Sequence, residues 1–340
     1  MRTLNLTFDV EDFVNDASLR ALVVILKLLK KYDLRSLFFV TGYMAERLGK
    51  YPDILRLLES HEIGYHSSSH SVRPIIPEFT DTRSYSKAFE ASLVRETSHI
   101  NPLTGEVEGE GGIKILKETF DNKSVVSFRA PGFCWTPPHL EALQRLGIKY
   151  DFSARLRGNG LLPDQKVSFK GIVFYPFPLY LEFWVRPTHL TSLLSSKPSR
   201  QRFLCLSSHE WSLAVSEPWD LIYHRNNPIG YRGEERQRSK VANNSFRSID
   251  RLLRFDVFLR GIKVLERLGA VAVGPILDEQ GSILLEANTV NVAETYRFSV
   301  SWATHYFNYS PKYVLSHFLK YFDQTALNKG AEACDDVIKE

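Results

Sequence analysis

No stretch of the sequence reaches the ~18 uninterrupted apolar residues that a membrane-spanning helix needs, and no segment repeats or falls to low complexity. Neither sign of charge is in excess. The 43 Lys and Arg against 39 Asp and Glu leave +4 over 340 residues, too little to mark a nucleic-acid binder, although a local basic patch facing an anionic substrate stays compatible with it. Cysteine is scarce: Cys134, Cys205 and Cys334 cannot all pair, show no CxxC spacing, and point to a reducing compartment. A removable secretory leader is not expected, because the acids Asp9, Glu11 and Asp12 close the short apolar run Leu4 to Phe8. The expectation is a cytoplasmic protein, with peripheral contact to a membrane surface left open.

What is present is the balance of an ordinary globular protein with a sizeable core, 44% hydrophobic and 24% charged. The length exceeds one average domain but suits one α/β barrel with embellishments. Hydrophobic spacing predicts strands at 3–9, 36–41 and 61–66, alternating with helices at 18–32 and 44–58, an order that argues for parallel βα units. Further helices are predicted at 84–98, 113–120, 138–146 and 250–268, and strands at 124–128, 148–152, 203–207 and 270–275. A Gly-rich loop is expected at 105–112, and 171–179 is an apolar segment. The stretch 216–249 is polar, with Arg232, Arg236, Arg238 and Lys240 close together, and reads as a long loop or insertion. Residues 276–340 are rich in aromatics, Tyr296, Trp302 and Phe318 among them, and are expected to pack on the barrel.

Three polar clusters lie just past predicted strands, where α/β folds gather their active sites. Asp9-Val10-Glu11-Asp12 crowds carboxylates that need a cation or an arginine to stay ionised together; alone it would more often be a solvated acidic loop. His66-Ser-Ser-Ser-His70 sets two imidazoles four apart, which on a helical turn face the same side and can grip one divalent ion. Arg129-Ala-Pro-Gly places an arginine at a strand end, able to hold a carboxylate, with Pro131 and Gly132 as a rigid turn; alone it would suit an ordinary ion pair. A fourth element, Leu206-Ser-Ser-His209-Glu-Trp211, puts a histidine after a late strand, a position that structural histidines also occupy.

In that order and spacing, TFDVED, SLFFVTG, EIGYHSSSH, SFRAPG and LSSHEW resemble the polysaccharide deacetylase family of carbohydrate esterases, from about residue 3 to about residue 275. HxxxH followed by RxP is the most specific part; IKYDFS at 148–153 and FLRGIKVLERLGAVAV also resemble family segments. The resemblance implies a distorted (β/α) barrel of about seven parallel strands over 1–275, with an insertion near 216–249 and an extension at 276–340. It implies Asp9 as catalytic base, His66 and His70 as metal ligands, Arg129 as the residue that orients the base, and His209 as general acid. The first motif departs from the usual pattern, since Val10 follows Asp9 where the family commonly has a second aspartate. Branches with D-x-D or D-x-E make Glu11 the third ligand, with Asp12 as the alternative. Trp135, Trp211 and Pro131 would wall the substrate pocket, and a backbone N–H near Trp135 would stabilise the oxyanion.

The activity so implied is removal of an N-acetyl group from an amino sugar by a hydrolase holding one divalent metal, zinc by default. A nucleotide-linked or lipid-linked acetylamino sugar in glycan biosynthesis fits a cytoplasmic enzyme better than extracellular chitin or peptidoglycan. A second reading stays open, a hydrolase of a small non-sugar linear or cyclic amide on the same barrel, with or without metal. The complete set of base, two histidines, arginine and late histidine argues against a third, a non-catalytic member that binds sugar or scaffolds a pathway.

Overall fold

Strict alternation in the first strand decides which way the sheet faces. In β1 (Arg2–Val10) the apolar Leu4, Leu6, Phe8 and Val10 alternate with Asn5, Thr7 and Asp9, so one face is oily and the other carries polar groups. A computed structural model describes residues 2–13, 15–68, 70, 84–100, 107–121, 123–133, 135–153, 165–174, 179–180, 203–214, 245–274 and 288–289. In it the oily face of β1 packs against helices: α1 (Asp16–Lys31) buries Leu19, Leu22, Ile25, Leu26 and Leu29 at helical spacing.

The chain continues through β2 (Ser36–Val40), α2 (Gly42–Leu48), α3 (Pro52–Leu58), β3 (Glu62–Tyr65) and α4 (Tyr85–Thr97). A short hairpin, β4 (Ser98–Ile100) and β5 (Val107–Glu110), leads to α5 (Gly112–Thr119), β6 (Ser127–Phe128), α6 (Pro137–Arg145) and β7 (Tyr150–Asp151). Strands β8 (Gln165–Phe169), β9 (Ile172–Phe174), β10 (Leu179–Tyr180) and β11 (Phe203–His209) precede α7 (Ser245–Arg267), β12 (Val271–Val273) and β13 (Asn288–Thr289). Seven strands run parallel in the unbroken order β11-β1-β2-β3-β6-β7-β9 and form a curled half-barrel. Beyond them β10 pairs parallel with β11, β12 pairs parallel with the start of β1, and β8 adds antiparallel to β9.

The curl separates two cores. Leu4, Leu6, Phe8, Val10, Phe38 and Val40 join the helices on the convex side, with Phe8 stacked on Phe38 at 5.1 Å between ring centroids. Leu37, Phe39, Tyr150, Phe152 and Cys205 make a smaller cluster on the other face. Register then fixes the site: Val10, Val40, Tyr65, Phe128 and Asp151 pair in sequence across five strands, so the residues that follow them emerge at one rim.

Several expectations shift. The helix expected over 44–58 is two, divided at Gly49 to Tyr51, because Pro52 lacks an N–H and its ring clashes with a preceding turn. Part of the expected Gly-rich loop is strand β5, and α5 starts at Gly112 within it. Helix α7 begins at Ser245, inside the stretch read as insertion. Residues 216–244 lie outside the described residues, as does the aromatic extension apart from β13, whose two residues pair with β8. The antiparallel β8 was not expected at all.

Phe38 is fully buried between the sheet and its helices. Phe38→Ala is expected to lower unfolding free energy by ~3–5 kcal/mol, read as a shifted midpoint in urea at unchanged slope. A loss under ~1 kcal/mol would contradict this packing.

Candidate metal and catalytic site

Strand register carries six side chains from distant parts of the sequence to one place. Asp9 and His209 are direct partners across β1 and β11, and the backbone N–H of Arg129 donates to the carbonyl of Tyr65, the residue before His66. Asp9 and Glu11, two apart, project to the same polar side as Thr7. All six residues, Asp9, Glu11, His66, His70, Arg129 and His209, fall within this site, and only His209, its side chain 14% exposed, is not fully buried.

Arg129 organises the concave face. Its Nη1 donates to Asp9 Oδ1 at 2.5 Å and to Ser207 Oγ at 2.7 Å, its Nη2 donates to Thr7 Oγ1 at 2.9 Å, and its guanidinium lies 4.2 Å from the Phe39 ring centroid. A buried cation is thereby given an anion, two hydroxyls and a π-face. The other oxygen of Asp9, Oδ2, stands 3.7 Å from His209 Nε2.

Glu11, His66 and His70 form the second half. His66 Nε2 lies 3.0 Å and His70 Nε2 2.8 Å from the same oxygen, Glu11 Oε2. Among the described residues this is the one cluster of three such side chains whose donor atoms converge, all within 4.8 Å. The Nδ1 of His66 meets the backbone carbonyl of Arg129 at 2.7 Å, and since a carbonyl only accepts, Nδ1 carries the proton. In the neutral ring Nε2 is then a lone pair aimed at a carboxylate oxygen, an arrangement that a cation satisfies. Burial opposes ionisation of Glu11, but the charges of the nearby His70 and His209 outweigh it and hold its carboxyl well below the usual range.

Asp12 points elsewhere. It accepts from the Asn15 backbone N–H at 3.0 Å, the Asn15 side-chain amide at 2.8 Å and the Ser18 hydroxyl, and so closes the turn into α1. Of the two carboxylates weighed as third ligand, Glu11 is the one beside the histidines.

The histidines do not sit on a helical turn, as their spacing had suggested. Residues 66–68 and 70 form no helix, and Ser67 and His70 take positive φ of 62° and 58°. Two helix starts hold this bend: the N–H groups of Gly42 and Tyr43 donate to the carbonyls of Ser67 and Ser68, and the Gly112 N–H donates to Ser68 Oγ. A Cβ on Gly112 would come within 2.7 Å of that Oγ and 2.8 Å of the Tyr65 ring, so only glycine fits there. Tyr65 hydroxyl reaches Ser68 Oγ at 3.1 Å and donates to Glu96, which also accepts from Arg95 and lies 2.9 Å from His139 Nε2.

Neither Glu96 nor His139 stands out in the sequence, because each lies on a helix with no motif around it. Glu210, also missed, was hidden beside His209 and could have been noticed as a buried acid in LSSHEW. Burial and the charges of Glu11 and Asp12 push its carboxyl well above the usual range. Of the expected pocket walls, Trp135 lies in the convex core and Pro131 is buried in the short 3-10 turn Pro131–Phe133. Trp211 is stacked on His209 at 5.0 Å and donates to Glu11 Oε1 at 2.9 Å, so it serves the site from within rather than lining an open pocket.

The Glu96 network generates a pH prediction. Burial opposes ionisation, but Arg95 and His139 win and bring its pKa from 4.5 down to about 2. A pKa depressed by folding adds stability above about pH 4.5 that drains away as pH falls toward 2, roughly 3 kcal/mol in all. Glu96→Gln is expected to flatten the stability profile across that window; an unchanged acid slope would contradict the network.

Comparison with known proteins follows the same residues. A model of the polysaccharide deacetylase family matches residues 1–150, a span that includes Asp9, Glu11, His66, His70 and Arg129. No curated protein matches the chain. Among solved structures, a Mycobacterium smegmatis protein described as a polysaccharide deacetylase is 14% identical, with 81% of this chain and 87% of that one covered at a TM-score of 0.48. A Streptococcus mutans family 4 carbohydrate esterase is 17% identical over 80% of this chain and 85% of its own, at 0.40. A Bordetella bronchiseptica protein, described as a polysaccharide deacetylase involved in O-antigen biosynthesis, is 16% identical over 74% and 90%, at 0.35. Five of the six clustered side chains therefore lie inside the span, residues 1–150, that is similar to the polysaccharide deacetylase family.

Proposed function

We propose that this protein is a metal-dependent N-deacetylase that releases acetate from an acetylamino sugar carried on a nucleotide or a lipid. The observation that carries the reading is the convergence of two imidazole Nε2 atoms on one oxygen of Glu11, with the His66 tautomer fixed by the Arg129 carbonyl. Two neutral histidines and one carboxylate are a fitting donor set for a catalytic divalent ion, because they leave positions for water and substrate. Zinc is the ion this donor set favours. When bound, such an ion supplies polarisation of the acetyl carbonyl and a water acidified from ~15.7 toward ~7.

The protein's own groups then divide the proton transfers. Asp9, with Oδ1 taken by Arg129, keeps Oδ2 to receive the proton of the attacking water. Water oxygen adds to the acetyl carbon, the C–N bond breaks, and His209 delivers a proton to the departing nitrogen, giving acetate and a free amine. Its partial exposure and its stacking on Trp211 suit His209 to meet a substrate that enters from solvent. The arginine pairing fixes the Asp9 carboxyl in place beside Glu11.

Protein purified without chelator is expected to hold close to one equivalent of divalent metal by elemental analysis; under a tenth of an equivalent would contradict the metal mechanism. Acetate release should appear with nucleotide-linked or lipid-linked acetylamino sugars and not with polymeric chitin. Asp9→Asn should lower release at least a hundredfold while metal stays bound, and His66→Ala should lose both. Most of the activity surviving in Asp9→Asn would remove Asp9 from the role of base.

A further inference from the structure

A glutamate two residues beyond the base is longer and freer than an aspartate directly beside it, and something must fix it. We infer that Glu210 and Trp211 form a bracket that positions Glu11 for metal binding, an inference that rests on the metal reading above. The bracket grips Glu11 twice. Glu210 Oε1 accepts from the backbone N–H of Glu11 at 2.9 Å and of Asp12 at 2.7 Å, two amides that have just left the β1 ladder. Trp211 Nε1 donates to Glu11 Oε1 at 2.9 Å, which turns the other oxygen, Oε2, toward His66 and His70.

The bracket is itself anchored. It follows His209, the register partner of Asp9, and forms the short 3-10 turn Glu210–Leu213. Ser212 Oγ donates to the His209 carbonyl at 2.9 Å, and Arg251 of α7 donates to the Ser212 carbonyl. The indole also stacks on the His209 ring, so one residue touches both the metal ligand and the proposed acid. Hydrogen bonds of this kind set the rotamer of a ligating carboxylate, and their loss typically weakens metal binding 10- to 100-fold. Glu210 is therefore a positioning residue that acts through the backbone, and Trp211 one that acts through the side chain.

The test measures Zn²⁺ affinity by competition with a chromophoric chelator in the folded, full-length protein. Trp211→Phe keeps the aromatic body against His209 and removes only the N–H; a 10- to 100-fold loss of affinity is expected. Glu210→Ala should weaken binding by a similar factor, whereas Glu210→Gln, which keeps an acceptor oxygen, should stay within about threefold of the parent. In a Glu11→Ala background the Trp211→Phe change should have no further effect, a coupling that a merely structural role would not show. If Glu11→Ala weakens binding but Trp211→Phe and Glu210→Ala do not, the bracket is wrong and the metal reading stands. If Glu11→Ala leaves affinity unchanged, the metal reading itself is wrong.

Discussion

Charge buried at the strand ends has to be neutralised, and most of the site's architecture follows from how that is done. Asp9 is matched by the Arg129 guanidinium, and Asp12 is satisfied by an amide, a backbone N–H and a hydroxyl. Glu11 is left facing two imidazoles, of which His66 is committed by its Nδ1 hydrogen bond to present a lone pair. A carboxylate oxygen and two imidazole nitrogens so meet at one buried point, a donor set suited to a cation. Under the proposed function a divalent cation would sit there and supply the chemistry. The same balance explains why Arg129 is buried so completely: its partners Asp9, Ser207, Thr7 and Phe39 replace the water it gave up.

The sheet makes this arrangement rigid. Parallel pairing sets β1, β2, β3, β6 and β7 level with one another, so Glu11, His66 and Arg129 leave their strands at one rim, and β11 brings His209 opposite Asp9. A one-residue slip in β1 would turn Asp9 and Glu11 into the convex core and expose Phe8 and Val10 to the concave side, so the oily alternation of that strand specifies the site as firmly as the acids do.

That alternation is why much of the fold was legible. Strands β1, β2 and β3 and the helices between them follow directly from hydrophobic period, and the motif order singled out six side chains that meet at one rim. Three features could not be read that way. The His66–His70 bend looks like a helical turn by spacing, yet its geometry comes from Gly42, Tyr43 and Gly112, whose helices start 24 residues before and 46 residues after His66. Glu96 meets Tyr65 and His139 only once α4 packs against α6 and β3, contacts that no local pattern encodes. The break before Pro52 was available in the sequence and was overridden by the apolar stripe on either side of it. Trp211 illustrates a different gap, since composition suggests a pocket wall while the indole N–H gives it a place at the ligand.

X-ray absorption of the zinc-loaded protein probes the coordination sphere itself. A first shell of nitrogen and oxygen at ~2.0–2.1 Å, outer-shell scattering from two imidazoles, and no sulfur are expected. A sulfur shell near ~2.3 Å, or a spectrum with no imidazole scattering, would contradict it.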